Sequence, residues 1–213
     1  MRKILTFVVP IALAACASGP EEVTPATTGA ASAAKAERPD VKVGDRWVSS
    51  CTYGRKKYDY VPTVVNSVDK SRISATEGDQ TLEMTPELNI VKSSEMTNLD
   101  TNRRLSFPLE VGKQWTNDYK FLWHATNTTG SEHAKVSVVG YERVRVPAGE
   151  FDAFKVKWSG QWGFNNAGGG VSSGTDEYWF WYAPAVRWFV KSHLSRHWEA
   201  DWDCELTEFQ LQP

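Results

Sequence analysis

The stretch KVSVVGYERVRVPAGEFDAFKVKW, residues 135–158, decides the fold. From Lys135 to Val146, Val136 and Val138 alternate with Ser137 and Val139. A period of two sends successive side chains to opposite faces of a strand. Pro147-Ala148-Gly149-Glu150 interrupts the run. Proline fixes φ and glycine is permissive, so these four residues read as a hairpin turn. Phe151 to Trp158 then runs back as the partner strand.

The same grammar extends in both directions. Trp47, Cys51 and Tyr53 share one face of a first strand. Tyr58 to Val68 makes a second, with Val61 and Val65 on one side and Tyr60 and Val64 on the other. Asp69-Lys70-Ser71 is a turn, and Arg72 to Thr76 returns. Glu77-Gly78-Asp79-Gln80 is the next turn, followed by short strands at Thr81 to Met84 and Leu88 to Lys92. Gln114 to His124 is long and aromatic, and Tyr178 to Tyr182, Arg187 to Leu194 and Cys204 to Leu211 complete the set. No stretch shows a helical period with caps at both ends. The expectation is an all-β fold: a curved antiparallel sheet, forming a sandwich or a half-open barrel. Val43-Gly44-Asp45-Arg46-Trp47 and Val111-Gly112-Lys113-Gln114-Trp115 share Val-Gly-x-x-Trp, 68 residues apart. In each, the glycine precedes a strand whose tryptophan would point inward, which suggests two related meander halves.

Arg2 and Lys3 precede a mostly apolar run from Ile4 to Ala15. It is too short to span a bilayer and reads as a secretory signal. Its end, Leu13-Ala14-Ala15-Cys16, resembles the lipobox of bacterial lipoproteins. That resemblance implies cleavage before Cys16 and a thioether-linked diacylglycerol on its thiol, the nucleophile the chemistry needs. Ala17 rather than aspartate follows, which resembles the outer-membrane sorting pattern. Residues 16–40 hold one valine and no aromatic residue. Such a segment cannot offset its ordering entropy by burial and reads as a flexible tether, spanning roughly 25–30 Å. The expected organisation is a signal peptide at 1–15, a lipidated cysteine and tether at 16–40, and one β domain at 41–213.

Without residues 1–15 the chain carries 22 basic and 26 acidic side chains, and it has no basic stripe. Nucleic acid is therefore not an expected partner. Cys51 and Cys204 remain, one near each end of the folded region. In an oxidising compartment the default is a disulfide, which would make the first and last strands neighbours.

Sites for chemistry are sparse. Gly170-Val171-Ser172-Ser173-Gly174 matches G-x-S-x-G, but no strand precedes it and no helix follows, so it reads as a hairpin tip. His193 and His197 would lie about 13 Å apart on one strand face, too far for one metal ion. No catalytic residue, metal or cofactor is expected, and no enzymatic activity. The aromatic tract is the one lead. Seven of the ten tryptophans lie between Trp158 and Trp202, and Tyr178-Trp179-Phe180-Trp181-Tyr182 is aromatic on both strand faces. A strand with one wet face should alternate with polar residues. Either both faces are covered or one lines an apolar cavity or contact surface. The candidate ligand-binding residues are Trp158, Trp162, Trp179, Trp181 and Trp188.

Phe107-Pro108-Leu109-Glu110-Val111-Gly112-Lys113-Gln114-Trp115, the Val146 to Val156 stretch and Tyr178 to Val186 resemble a family of uncharacterised bacterial envelope proteins. Those carry FPL-x-VGK-x-W, VPAG-x-FDAFKV and a YWYAP-like element. After Pro184 this chain has Ala185-Val186-Arg187 where that family commonly has a glycine. The resemblance implies an all-β periplasmic domain and transfers no catalytic residue. The expected function is a lipid-anchored envelope lipoprotein that binds or scaffolds without catalysis. Its expected partners are the bacterial membrane, through the lipid, and an apolar ligand or an envelope protein. The alternative is a carrier for an apolar ligand or acyl chain held on the aromatic face.

Overall fold

The computed structural model describes residues 34–59, 62–166, 169–196 and 200–213. The expected signal and Cys16 lie outside the described residues, as do Tyr60, Val61, Gly168 and His197. The first half contributes β1 (Lys35–Ala36), β2 (Arg46–Tyr53), β3 (Lys56–Asp59), β4 (Thr63–Val68), β5 (Ile73–Glu77), β6 (Gln80–Met84), β7 (Ile90–Lys92) and β8 (Met96–Asn98). The second contributes β9 (Leu109–Glu110), β10 (Gln114–Trp123), β11 (Thr128–Val146), β12 (Gly149–Asn165), β13 (Val171–Ala183), β14 (Trp188–Arg196) and β15 (Trp202–Gln210).

The sheet runs antiparallel from β4 through β8 to β10 and on to β15, and β15 then pairs with β2, which pairs with β4. This closes a 12-strand barrel. Closure removes the free edges that a half-open barrel would expose. Cys51 and Cys204 sit directly opposite each other across the β2–β15 seam, with Cα atoms 4.0 Å apart, and are disulfide-bonded. The expectation that the first and last long strands are neighbours therefore holds. The run read as one strand from Tyr58 to Val68 is two, β3 and β4. Pro62, which has no N–H to give a ladder, stands just before β4. The last part of the stretch read as tether belongs to the fold: Lys35 and Ala36 pair with Glu110 and Leu109, and Ala36 is buried.

The repeat is structural as well as sequential. Gly44 and Gly112 have φ of 89° and 92°, a region that strongly favours glycine. Gly44 N donates to Val65 O and Val65 N to Asp45 O; Gly112 N donates to Val138 O and Val138 N to Lys113 O. The next strand then bulges at the same offset, between Val65 and Ser67 and between Val138 and Gly140. A bulge bends its strand and raises the local twist, which curves the wall.

The alternation is apolar-in and charged-out. On β10, Asn117, Tyr119 and Phe121 are buried, while Gln114, Thr116, Asp118 and Lys120 are exposed. A barrel whose outer face meets lipid has the reverse pattern. One end is packed solid by Trp47, Phe154, Tyr182, Val186 and Leu206, each no more than 1% exposed. The Trp47 indole satisfies its N–H on Val186 O at 2.8 Å and stacks on Trp188 at 4.5 Å. Asp45, fully buried, accepts from Lys42 N, Gln212 N and the Arg187 guanidinium. It pins the start of β2 to the β13–β14 turn and to the C-terminal tail.

Candidate functional site

Residues 99–108 connect β8 to β9 and lie against the inner face of the barrel wall. Buried Asn89 gives its Nδ2 to Leu105 O at 2.9 Å and takes Leu105 N at 2.7 Å. Buried Asn117 accepts from Arg103 N at 2.8 Å and donates to Asn102 Oδ1 at 3.0 Å. The Trp115 indole donates to Arg103 O at 2.9 Å. Lys113 Nζ, one position after the second repeat glycine, donates to Ser106 O and Pro108 O. Leu105 and Leu109 are fully buried, and Phe107 meets Tyr182 edge-on at 5.3 Å. A backbone with no ladder partner is thus satisfied by inward side chains. This segment completes the solid end of the barrel.

Beyond it the lumen is hollow. A first cavity of about 610 Å³ is walled by Phe121, Trp123, Trp158, Trp162 and Phe164. A second of about 710 Å³ is walled by Leu82, Met84, Leu88, Trp188 and Phe189. Both volumes lie within the range of about 300–1,000 Å³ typical of small-molecule sites. The two share Ile90, Arg104, Tyr178, Leu194 and Arg196 as a common wall.

Polar groups converge on the lumen. Glu132 accepts from the Tyr119 hydroxyl and from the Trp158 indole, both at 2.6 Å. A side chain on Gly160 would collide with Glu132 Oε1 and Asp176 Oδ1, so glycine is what lets two carboxylates approach there. Burial pushes the Asp176 carboxyl up to about 6, the Glu132 charge adds to the rise, and Arg196 opposes it. Burial first, and Glu132 second, hold the Tyr119 phenol above its ordinary range. Arg104 projects from the inserted segment with its guanidinium over the Tyr178 ring at 5.3 Å and the Phe189 ring at 6.0 Å. Among the described residues no carboxylate forms an ion pair with it.

The five tryptophans picked out in the sequence divide. Trp158, Trp162 and Trp188 line the lumen. Trp179 and Trp181 stand on the outer face. Their indoles donate to Glu177 and Glu142, and Lys155 lies 4.9 and 5.0 Å from their ring centroids. The aromatic character of both faces of β13 therefore has two causes. Tyr178 and Phe180 face the lumen and core, while the outer rings are covered by lysine side chains. Ser172 of the G-x-S-x-G match bonds to Asn166 at the β12–β13 hairpin. His193 bonds to Asp203 at 2.7 Å on the outer face.

Sequence reasoning missed Arg104, Glu132 and Asp176. Asn117 carried a usable signal, being a polar residue in phase with Tyr119 and Phe121 on a strand with a buried face. Glu132 carried one too, lying in phase with Ala134 and Val136. Arg104 carried none, because its position depends on a segment without period.

No family model matches the chain, and no curated protein matches it. Two solved structures resemble it in fold. One is a protein of Bacteroides fragilis thought to be exported, with a YmcC-like fold; the TM-score is 0.52 at 13% identity, covering 82% of this chain and 99% of that one. The other is a candidate lipoprotein of Parabacteroides distasonis, with TM-score 0.51 at 15% identity and the same coverage. At such identities the likeness is one of fold.

Proposed function

We propose that this chain is a lipid-anchored lipoprotein of the bacterial cell envelope, held at the outer membrane through Cys16. In this reading it is a non-enzymatic binding module whose barrel lumen holds a ligand. The hollow lumen is the observation that carries the reading. A barrel with these aromatic walls could have been packed shut, as its other end is; instead it keeps two cavities and places carboxylates and arginines inside them. Retaining polar groups and space together is the signature of a site. The lipobox-like Leu13-Ala14-Ala15-Cys16 supports the anchor, and the exported and lipoprotein descriptions of the two structural neighbours are consistent with it.

The test is binding of a neutral, environment-sensitive apolar dye to the purified protein. Leu194 lies on the wall common to both cavities, so Leu194→Trp should fill space there and weaken dye binding about tenfold or more. Trp179→Ala, on the outer face, should leave binding unchanged. Equal loss in both variants, or no dye binding to the native protein, would refute a lumen site.

A further inference from the structure

We propose that the ligand is a single-chain amphiphile with an anionic headgroup: the head is held where the two cavities meet, and the tail lies along the apolar walls of the lumen. This rests on the lumen being a ligand site and adds the chemical class of what it takes. Arg104 and Arg196 both lie on the common wall. Arg196 stands across the strand pair from Asp176 and offsets its charge, so Arg104 is the cation that carries the argument. Arg104 has no ion-pair partner among the described residues, and the rings of Tyr178 and Phe189 flank its charge. Ring faces partly offset a desolvated cation but leave its N–H fork open to an acceptor. A guanidinium presents that fork in a plane that matches a carboxylate or a phosphate.

Both cavities offer apolar wall to a tail. The first combines Phe121, Trp123 and Phe164 with the Glu132–Asp176 pair, the Trp158 indole and the Tyr119 phenol being already committed to Glu132. The second combines Leu82, Met84, Leu88, Ile90 and Phe189, a surface suited to methylenes, with Glu77 and Glu95. Each buried methylene contributes about 0.8 kcal/mol, so a long chain gains by lying along these apolar walls. The carboxylates of both cavities repel an anionic head that goes further and keep it at Arg104. A neutral apolar molecule would fill the same space but leave Arg104 without an acceptor.

The experiment compares hexadecanoate, a lysophosphatidic acid with a sixteen-carbon chain, and hexadecanol, by displacement of the neutral dye from the native protein. The native protein is expected to bind both anions at least tenfold more tightly than the alcohol, since a charge-assisted hydrogen bond is worth about that much or more. Tighter binding of hexadecanoate would assign the site to a carboxylate, and tighter binding of the lysophosphatidic acid to a phosphate. In Arg104→Met, affinity for the anions should fall about 10- to 100-fold while the alcohol is unaffected. If that variant does not fold, the anion–alcohol ratio of the native protein alone decides. Equal binding of anions and alcohol would overturn the headgroup assignment and leave the lumen reading standing. Failure of the dye and all three lipids to bind would overturn both.

Discussion

Asp176 is the residue at which the cost of the lumen is easiest to measure. Its carboxyl is raised to about 6 in the folded chain from an ordinary value of 3.8. The folded protein therefore holds that proton more tightly than the unfolded chain does. The contribution is fully present below about pH 4 and is lost as pH rises through 6. Above that, an ionised carboxylate sits beside Glu132 in a desolvated wall. Asp176→Asn is expected to raise the unfolding free energy at pH 7.5 by about 1–2 kcal/mol, after discounting for its partial exposure. Near pH 4 the variant and the native chain should converge, and urea titrations at the two pH values give both numbers. A stabilising substitution at a lumen residue is what a site retained for binding should show. Much of this residue-scale chemistry was hidden in the sequence. Trp158 and Trp188 could be recognised as candidates because tryptophans cluster there. Glu132 and Asp176 were passed over because a lone acid in a strand is usually solvated, and only the barrel brings the two over Gly160. Arg187 is a further case. It takes φ of 56° at the end of the 184–186 turn, where a glycine would be unstrained, and its guanidinium neutralises buried Asp45. The departure from glycine noted in the sequence is thus matched by an ion pair that glycine could not make.

At the level of elements, period-two alternation and turn residues located most of the wall. The long hairpin of β11 and β12 runs through the Pro147-Ala148 turn as its sequence requires. β1, β8 and β9 were not legible, because strands of two or three residues show no period. The Val-Gly-x-x-Trp repeat was legible and proved more extensive than its letters. It fixes a positive-φ glycine, a reciprocal backbone pair and a bulge at the same offset in each half. The residue after each glycine has diverged in partner while keeping an anchoring role: Asp45 holds the C-terminal tail and Lys113 holds the inserted segment. The ring then has to be closed, and the β2–β15 seam is where its two ends meet. The Cys51–Cys204 bond crosses that seam at a sequence separation of 153. Closing so long a loop stabilises by up to about 5 kcal/mol on the chain-entropy model. Cys51→Ala with Cys204→Ala is expected to lower the unfolding free energy by about 2–5 kcal/mol, read from urea titration of the oxidised native chain and the double variant. A loss below about 0.5 kcal/mol would mean that the seam is held without the bond.

On the scale of the molecule, the barrel has a filled end and an open one. The filled end carries the Pro147-Ala148 turn, the 184–186 turn, the inserted segment and the β1–β9 pair. The open end carries the β10–β11 and β12–β13 connections beside the first cavity. Lys35 joins the fold at the filled end, so the described residues begin on the side opposite the lumen mouth. In the proposed anchored state the tether therefore attaches at the end away from the mouth, and the charged outer wall suits contact with water rather than lipid tails. The sequence conveyed the class of fold. It could not convey the hollow, because a cavity is what remains after the fifteen described strands and an inserted loop have taken their places. The most direct measurement is native mass spectrometry of the Cys16→Ala chain, which keeps every described residue, isolated gently from the periplasmic fraction. A reproducible mass above that of the polypeptide, matching an acyl-chain acid or its phosphate counterpart and removed by solvent extraction, is the expected result. The bare polypeptide mass, from protein that is folded and never exposed to detergent, would contradict the claim that the lumen is a ligand site.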